Sequence, residues 1–348
     1  MTLKLLPALL FIFVLLPSSY AAQRQAPAPF KARAEEVVMH VLFTDRFGRS
    51  VDNIRPDEVR IYEDGEEQKL SRLFASEEPF DVGLLLDTSP STHDVLDSIV
   101  AQSAAFLRQV TESSRILLLS FDDEVYIECD WTDDSSKVDD AIRAVHGNKK
   151  ANHTVLYDAV TLAAEKKFSR NSLRKAMIVY TDGIDEGSST SEQQCVKIVE
   201  ESGILTYTIQ FDSRDHYRRL YNPDRRSPTD PYPDPPVGST GTKVGGIFVG
   251  RGGSDRDRAE YMAQMRYDHA KKFLTRLAQA GAGRYYETLR VGNLGDAYSK
   301  IVQELSKTYT VTYVPARRER DGKFHRVKIT TTRDGVAVQT AREGYFAK

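Results

Sequence analysis

Asp87, Ser89 and Ser91 occupy alternate positions directly after the apolar run Leu84-Leu85-Leu86. One carboxylate and two hydroxyls on a strand-to-helix loop offer only oxygen donors, a set that suits a hard divalent cation. Aspartate and serine are also ordinary caps and turn formers, so Asp-x-Ser-x-Ser alone leaves a plain helix cap as an open alternative. Two later segments supply more oxygen. Thr154 stands in the polar loop Asn152-His153-Thr154, just before Leu156-Tyr157-Asp158-Ala159. Asp182 follows a second apolar run, Ala176-Met177-Ile178-Val179-Tyr180-Thr181, and precedes Gly183. Taken singly, Thr154 also suits a helix N-cap and Asp182 the first corner of a glycine turn.

The order Asp-x-Ser-x-Ser, then Thr before a Leu-Tyr-Asp-Ala helix, then Thr-Asp-Gly, resembles the von Willebrand factor type A domain. The resemblance runs from about Pro79 to Thr308. It implies a metal-ion-dependent adhesion site made of Asp87, Ser89, Ser91, Thr154 and Asp182. By the family's pattern the two serines coordinate directly and Thr154 directly or through water. The two aspartates hold coordinating waters and the serine hydroxyls. Neutral hydroxyl ligands leave the ion electropositive, so its open position is best completed by an Asp or Glu carboxylate from a protein partner. Magnesium or manganese fits such a cage, and calcium less well if the cage is tight. Pro90 departs from the pattern, where the family usually has glycine; it fixes φ without removing an oxygen. Thr92, where relatives often have Met, bears on packing. His93 reads as an exposed residue of the capping turn rather than a ligand.

The elements that must position these residues alternate strand and helix, the pattern of a doubly wound, mostly parallel sheet in an α/β fold. Strands are expected at Val82–Leu86, Ile116–Phe121, Val125–Cys129, Ala176–Tyr180, Ile204–Phe211 and Arg284–Glu287. Helices are expected at Asp94–Val110, Lys137–Val145, Leu156–Phe168, Ser191–Glu201, Ala259–Ala280 and Asn293–Lys307. The short Asp122-Asp123-Glu124 turn makes the third strand an antiparallel edge. Residues 214–258, rich in Pro, Gly, Arg and Asp, read as a mobile insertion near the metal loops. They do not read as a phosphate loop, because no Gly-Lys-Ser/Thr follows.

Both ends of the chain read as β. Residues 34–78 form an N-terminal β-module, residues 79–308 the type A domain, and residues 309–348 a set of C-terminal strands that complete an accessory β-sandwich. This arrangement, with the ending Ala341-Arg342-Glu343-Gly344-Tyr345, resembles the secreted acidobacterial kind of type A protein. Lys4, the apolar Leu5–Leu16 and Ser19-Tyr20-Ala21 have the layout of a signal peptide. Cleavage is expected after Ala21, followed by a flexible lead over residues 22–33 and with no transmembrane segment in the mature chain. The expected location is periplasmic or extracellular. Cys129, ending a strand, and Cys195, on a helix, are the only two cysteines and read as buried free thiols; a bridge stays open as the alternative and requires Cα atoms within about 7 Å. The sequon at Asn152 would place a glycan two residues from a metal ligand and reads as accidental.

Lys and Arg total 48 against 50 for Asp and Glu, which leaves no basic excess for nucleic acid. A secreted, non-enzymatic binding protein that captures a carboxylate-bearing partner through a divalent ion is the leading expectation. A structural or assembly component that binds through its β-module or insertion is the second. A metal-assisted hydrolase is the third, and it lacks a second ligand cluster, a histidine at general-base spacing and a nucleophile elbow.

Overall fold

The computed structural model describes residues 36–347 except 48, 75–79, 112–113, 149, 169–173, 222–241, 245–246, 250–254, 289–292, 317–321 and 341–342. The expected leader and the Asp230–Pro236 run therefore lie outside the described residues, as do parts of the 320–322 turn and of the Ala341–Tyr345 ending.

Four strands come first: β1 (Val37–Asp45), β2 (Val59–Glu63), β3 (Glu66–Gln68) and β4 (Leu70–Phe74). The α/β part follows with β5 (Asp81–Asp87), α1 (Leu96–Thr111), β6 (Arg115–Phe121), β7 (Val125–Thr132), α2 (Ser135–Ala144), α3 (Leu156–Leu162), β8 (Lys175–Thr181) and α4 (Glu192–Ser202). It continues through β9 (Leu205–Phe211), α5 (Arg214–Leu220), β10 (Thr242–Val244), β11 (Ile247–Val249), α6 (Asp255–Ala280), β12 (Ala282–Thr288) and α7 (Leu294–Leu305). The chain ends in β13 (Tyr309–Tyr313), β14 (Phe324–Thr331), β15 (Val336–Thr340) and β16 (Gly344–Phe346).

The central sheet has the order β12-β9-β8-β5-β6-β7, parallel except for β7, which runs antiparallel on the edge. Every residue of β5, β8 and β9 is buried, as parallel strands covered on both faces require. Leu84, Leu86, Ile178 and Tyr180 face a core shared with α1, α2 and α7. Leu85, Met177 and Val179 face a second core shared with α3, α4 and α6. From β5 the chain winds outward through β6 and β7, then crosses to β8 on the other side. The crevice beyond the carboxyl ends of β5 and β8 is therefore the topological switch point where open α/β sheets place their ligands.

Two four-stranded antiparallel sheets, β15-β1-β13-β4 and β16-β14-β2-β3, form the accessory module from both ends of the chain. Met39, Val41 and Phe43 of the first meet Ile61, Val327 and Ile329 of the second in one core. Buried Arg174, just before β8, ties this module to the main sheet by donating to the Thr308 carbonyl at 3.1 Å and to Thr310 Oγ1 at 3.2 Å.

Four expectations are corrected. The helix expected from Asp94 opens as a 3-10 turn, Pro90–Val95, because Thr92 N donates back three residues to the Ser89 carbonyl; α1 starts at Leu96. The helix expected through Phe168 ends in a π turn, Ala163–Lys167. That turn lays the Phe168 ring where a Cβ on Gly83 would stand, 2.9 Å away. The expected insertion begins with a helix, α5, whose Tyr217 is buried against Ile184 and Ala263, and α6 already starts at Asp255. Both cysteines are free, but Cys129 on edge strand β7 is only half-buried.

Candidate metal centre

Asp87 closes β5 and Asp182 follows β8, so the two parallel neighbours deliver both carboxylates to the switch point. Both are buried, Asp87 fully and Asp182 to 1% exposure. Asp87 Oδ1 accepts from Ser89 N at 2.9 Å, which folds the loop back on its own aspartate. Asp87 Oδ2 accepts from Thr181 Oγ1 at 2.6 Å, and that hydroxyl in turn accepts from Gly183 N at 2.9 Å. Ser89 Oγ and Ser91 Oγ stand 3.3 Å apart. Thr92 fixes the same loop by donating its hydroxyl to the Ser89 carbonyl at 2.8 Å.

Asp182 Oδ1 accepts from Ile184 N at 3.0 Å. Its Oδ2 is sealed from solvent and has no hydrogen-bond partner among the described residues. The Ser213 and Ser91 hydroxyls stand close enough to lower its pKa, yet burial dominates and raises it. Asp87 is pushed up to about 7, first by burial and then by the Asp182 charge. Two buried carboxylates that repel each other, with one oxygen unsatisfied, form a site short of positive charge. That donor set fits a divalent cation.

Thr154 is 6% exposed, and its loop is stitched to both neighbours. Its carbonyl accepts from Glu186 N at 3.0 Å and Gly187 N at 3.1 Å, beyond β8. Val155 N donates to the Asp122 carbonyl at 2.9 Å, beyond β6. The first amides of α3 are capped by other residues: Tyr157 N donates to Asp185 Oδ1 and Asp158 N to Ser188 Oγ, both at 3.0 Å. The 3-10 turn likewise draws no side-chain cap from Ser89. The capping roles open to these hydroxyls are therefore not the ones they fill.

His93 is half-buried rather than exposed, and its Nε2 is shielded with no hydrogen-bond partner among the described residues. The ring packs where a Cβ on Gly147 would stand, 2.8 Å from that nitrogen. Pro90 takes the first position of the 3-10 turn, where its fixed φ suits and no amide is missed.

Several positioning residues escaped the sequence reading. Thr181 lay in plain view within Thr-Asp-Gly, but only the structure turns its hydroxyl toward Asp87. Gln210 Nε2 holds the Asp182 carbonyl at 3.0 Å while its Oε1 accepts from Tyr285 OH at 2.6 Å. Asp123 Oδ1 accepts from Asn152 N and His153 N, which anchors the approach to Thr154. Arg266, 3% exposed, donates to Glu186 at 2.7 Å and lies over the Tyr217 ring. A contact between α6 and the loop after β8, 80 residues apart, has no local signal.

A mostly parallel sheet with an antiparallel edge, carrying two acids and a hydroxyl loop at its switch point, defines a metal-site α/β domain of the type A class. Residues 81–223 match the family model of the von Willebrand factor type A domain, and this segment of the chain is such a domain. No curated protein matches the chain. Among solved structures, the conserved hypothetical protein BatB from Bacteroides thetaiotaomicron is similar at 18% identity and a TM-score of 0.43, over 66% of this chain and 98% of that one. An aerotolerance-related membrane protein from Bacteroides fragilis gives the same identity and score, over 66% and 99%. Proximal thread matrix protein 1 from the mussel byssus, with a zinc-occupied MIDAS motif, has 15% identity and a TM-score of 0.45, over 69% of this chain and 48% of that one.

Proposed function

We propose that this chain is an exported, non-enzymatic binding protein that captures a carboxylate-bearing protein partner through a divalent ion. The observation that carries the reading is the pair of buried acids, Asp87 and Asp182, with Asp182 Oδ2 left without a hydrogen-bond partner. Ser89, Ser91 and Thr154 would hold the ion with them, and magnesium or manganese suits an oxygen-only set. When bound, the ion supplies an electropositive position that an Asp or Glu of the partner completes. The chain's own residues do the rest. Thr181 and the Ser89 amide fix the Asp87 carboxylate, Gln210 fixes the Asp182 backbone, and the Asp122-Asp123 turn fixes the Thr154 loop. Export rests on the leader-like N-terminal sequence; no helix among the described residues is long and apolar enough to cross a membrane.

Affinity capture with the immobilised protein tests the reading. A captured protein should be released by EDTA, restored by magnesium, and absent with Asp87→Ala. Capture that survives both EDTA and Asp87→Ala would sink the proposal and move the contact to the accessory module or to residues 214–258.

A further inference from the structure

A second cluster of metal-ligating groups lies in the accessory module, built by the end of β2 and the start of β14. Asp64 and His325, 261 residues apart, meet there with His325 Nδ1 2.8 Å from Asp64 Oδ2. Glu63 Oε1 stands 3.7 Å from the same nitrogen, and the three donor atoms all lie within 4.8 Å of one another.

The outer oxygen of each acid is already held. Glu63 Oε2 accepts from Tyr313 OH at 2.5 Å and from Tyr345 OH at 3.2 Å. Asp64 Oδ1 accepts from Arg326 N at 2.9 Å. The inner oxygens, Glu63 Oε1 and Asp64 Oδ2, are therefore turned toward the imidazole, whose ring is set by stacking on Tyr345 at 5.6 Å between centroids. Glu63 is the informative member. Its side chain is only 7% exposed, and its Oε1 faces the His325 imidazole at 3.7 Å. A carboxylate this buried is costly to keep charged without a cation beside it, and its inner oxygen lies close to both the His325 nitrogen and an Asp64 oxygen.

We propose that Glu63 Oε1, Asp64 Oδ2 and His325 Nδ1 form a second divalent-metal site that takes a zinc-class ion and staples β2 to β14. Ligands about 2.1 Å from a tetrahedral centre stand about 3.4 Å apart, and the spacings of 2.8 and 3.7 Å from His325 Nδ1 lie on either side of that value. One imidazole with two carboxylates favours zinc over magnesium, whose sites are built from oxygen alone. The tyrosines and the Arg326 amide play the part of outer partners that orient metal ligands. Binding displaces the proton that Nδ1 shares with Asp64, and that proton goes to solvent. The staple joins an N-terminal strand to a C-terminal one, so it adds to the stability of a module built from both ends of the chain.

The test uses the metal-stripped full chain carrying Asp87→Ala, which disables the first centre. Zinc is titrated by calorimetry, and thermal midpoints are read with and without zinc. The expected result is one equivalent of zinc bound, a raised midpoint, and loss of both when Glu63→Gln or His325→Gln is added. Asp64→Asn serves if either fails to fold, because asparagine tolerates the left-handed φ of +49° at that position. Absence of zinc binding in the Asp87→Ala chain overturns the proposal and leaves a plain His–Asp hydrogen bond. Zinc binding that persists in His325→Gln or Asp64→Asn overturns it as well.

Discussion

At the residue scale the centre is governed by two aspartates that need one another's charge cancelled. Thr181 is the clearest supporting group, since its hydroxyl donates to Asp87 and accepts from the Gly183 amide. Thr181→Val keeps the shape and removes both bonds. Loss of such an outer partner weakens metal affinity by about 10- to 100-fold. Calorimetry on the variant should show this loss with the fold intact by circular dichroism. Protonation gives a second test. Asp87 is held near 7 in the folded chain, above the ordinary carboxylate range, so the folded state binds a proton more tightly than the unfolded one. Its contribution to stability therefore falls as pH rises from about 4 to about 7 when no metal is present. In EDTA, Asp87→Asn should gain urea resistance over the parent as pH moves from 5 to 7.5. A difference that stays flat with pH would place the Asp87 pKa in the ordinary range.

At the element scale, the α/β core was written in the sequence and the rim of the site was not. Apolar runs such as Leu84–Leu86 and Ala176–Tyr180 mark buried parallel strands because burial on both faces removes the need for alternation. The acids that end them mark the ligand edge. α5 gave no such signal: Arg214–Leu220 holds several charges in a segment read as loop. A helix this short is not stable by itself and depends on packing, here Tyr217 against Ile184 and Ala263. The turn after β8 is equally tied to packing. Gly183 has φ +85°, and a Cβ there would meet Leu274 Cδ1 at 2.7 Å and Ala270 Cβ at 3.0 Å on α6. Gly183→Ala should cost about 1–3 kcal/mol in denaturant unfolding, from left-handed strain plus overpacking. It should also weaken metal binding, because the Asp182 loop must move.

At the scale of the whole molecule, one chain joins a sheet that carries the candidate metal loops to a β-module built from two terminal sets of strands. The pairing of terminal segments was legible as two sets of alternating strands, but the partners were not. Nothing local tells Glu63 that it will accept hydrogen bonds from Tyr313 and Tyr345. The join between the parts is polar and buried: Arg174 reaches the Thr308 carbonyl, and His40 bridges Thr310 Oγ1 and the Gly203 carbonyl at 3.3 Å each. The sheet thus presents the Asp87, Thr154 and Asp182 loops from a frame tied to the accessory module. The claim that unites these scales is that Asp87 and its neighbours hold a divalent ion. Calorimetric titration of magnesium into metal-stripped protein, with Asp87→Ala alongside, tests it most directly. The account predicts saturable binding of one equivalent that the variant loses, whereas no binding by the parent chain, or equal binding by the variant, would contradict it.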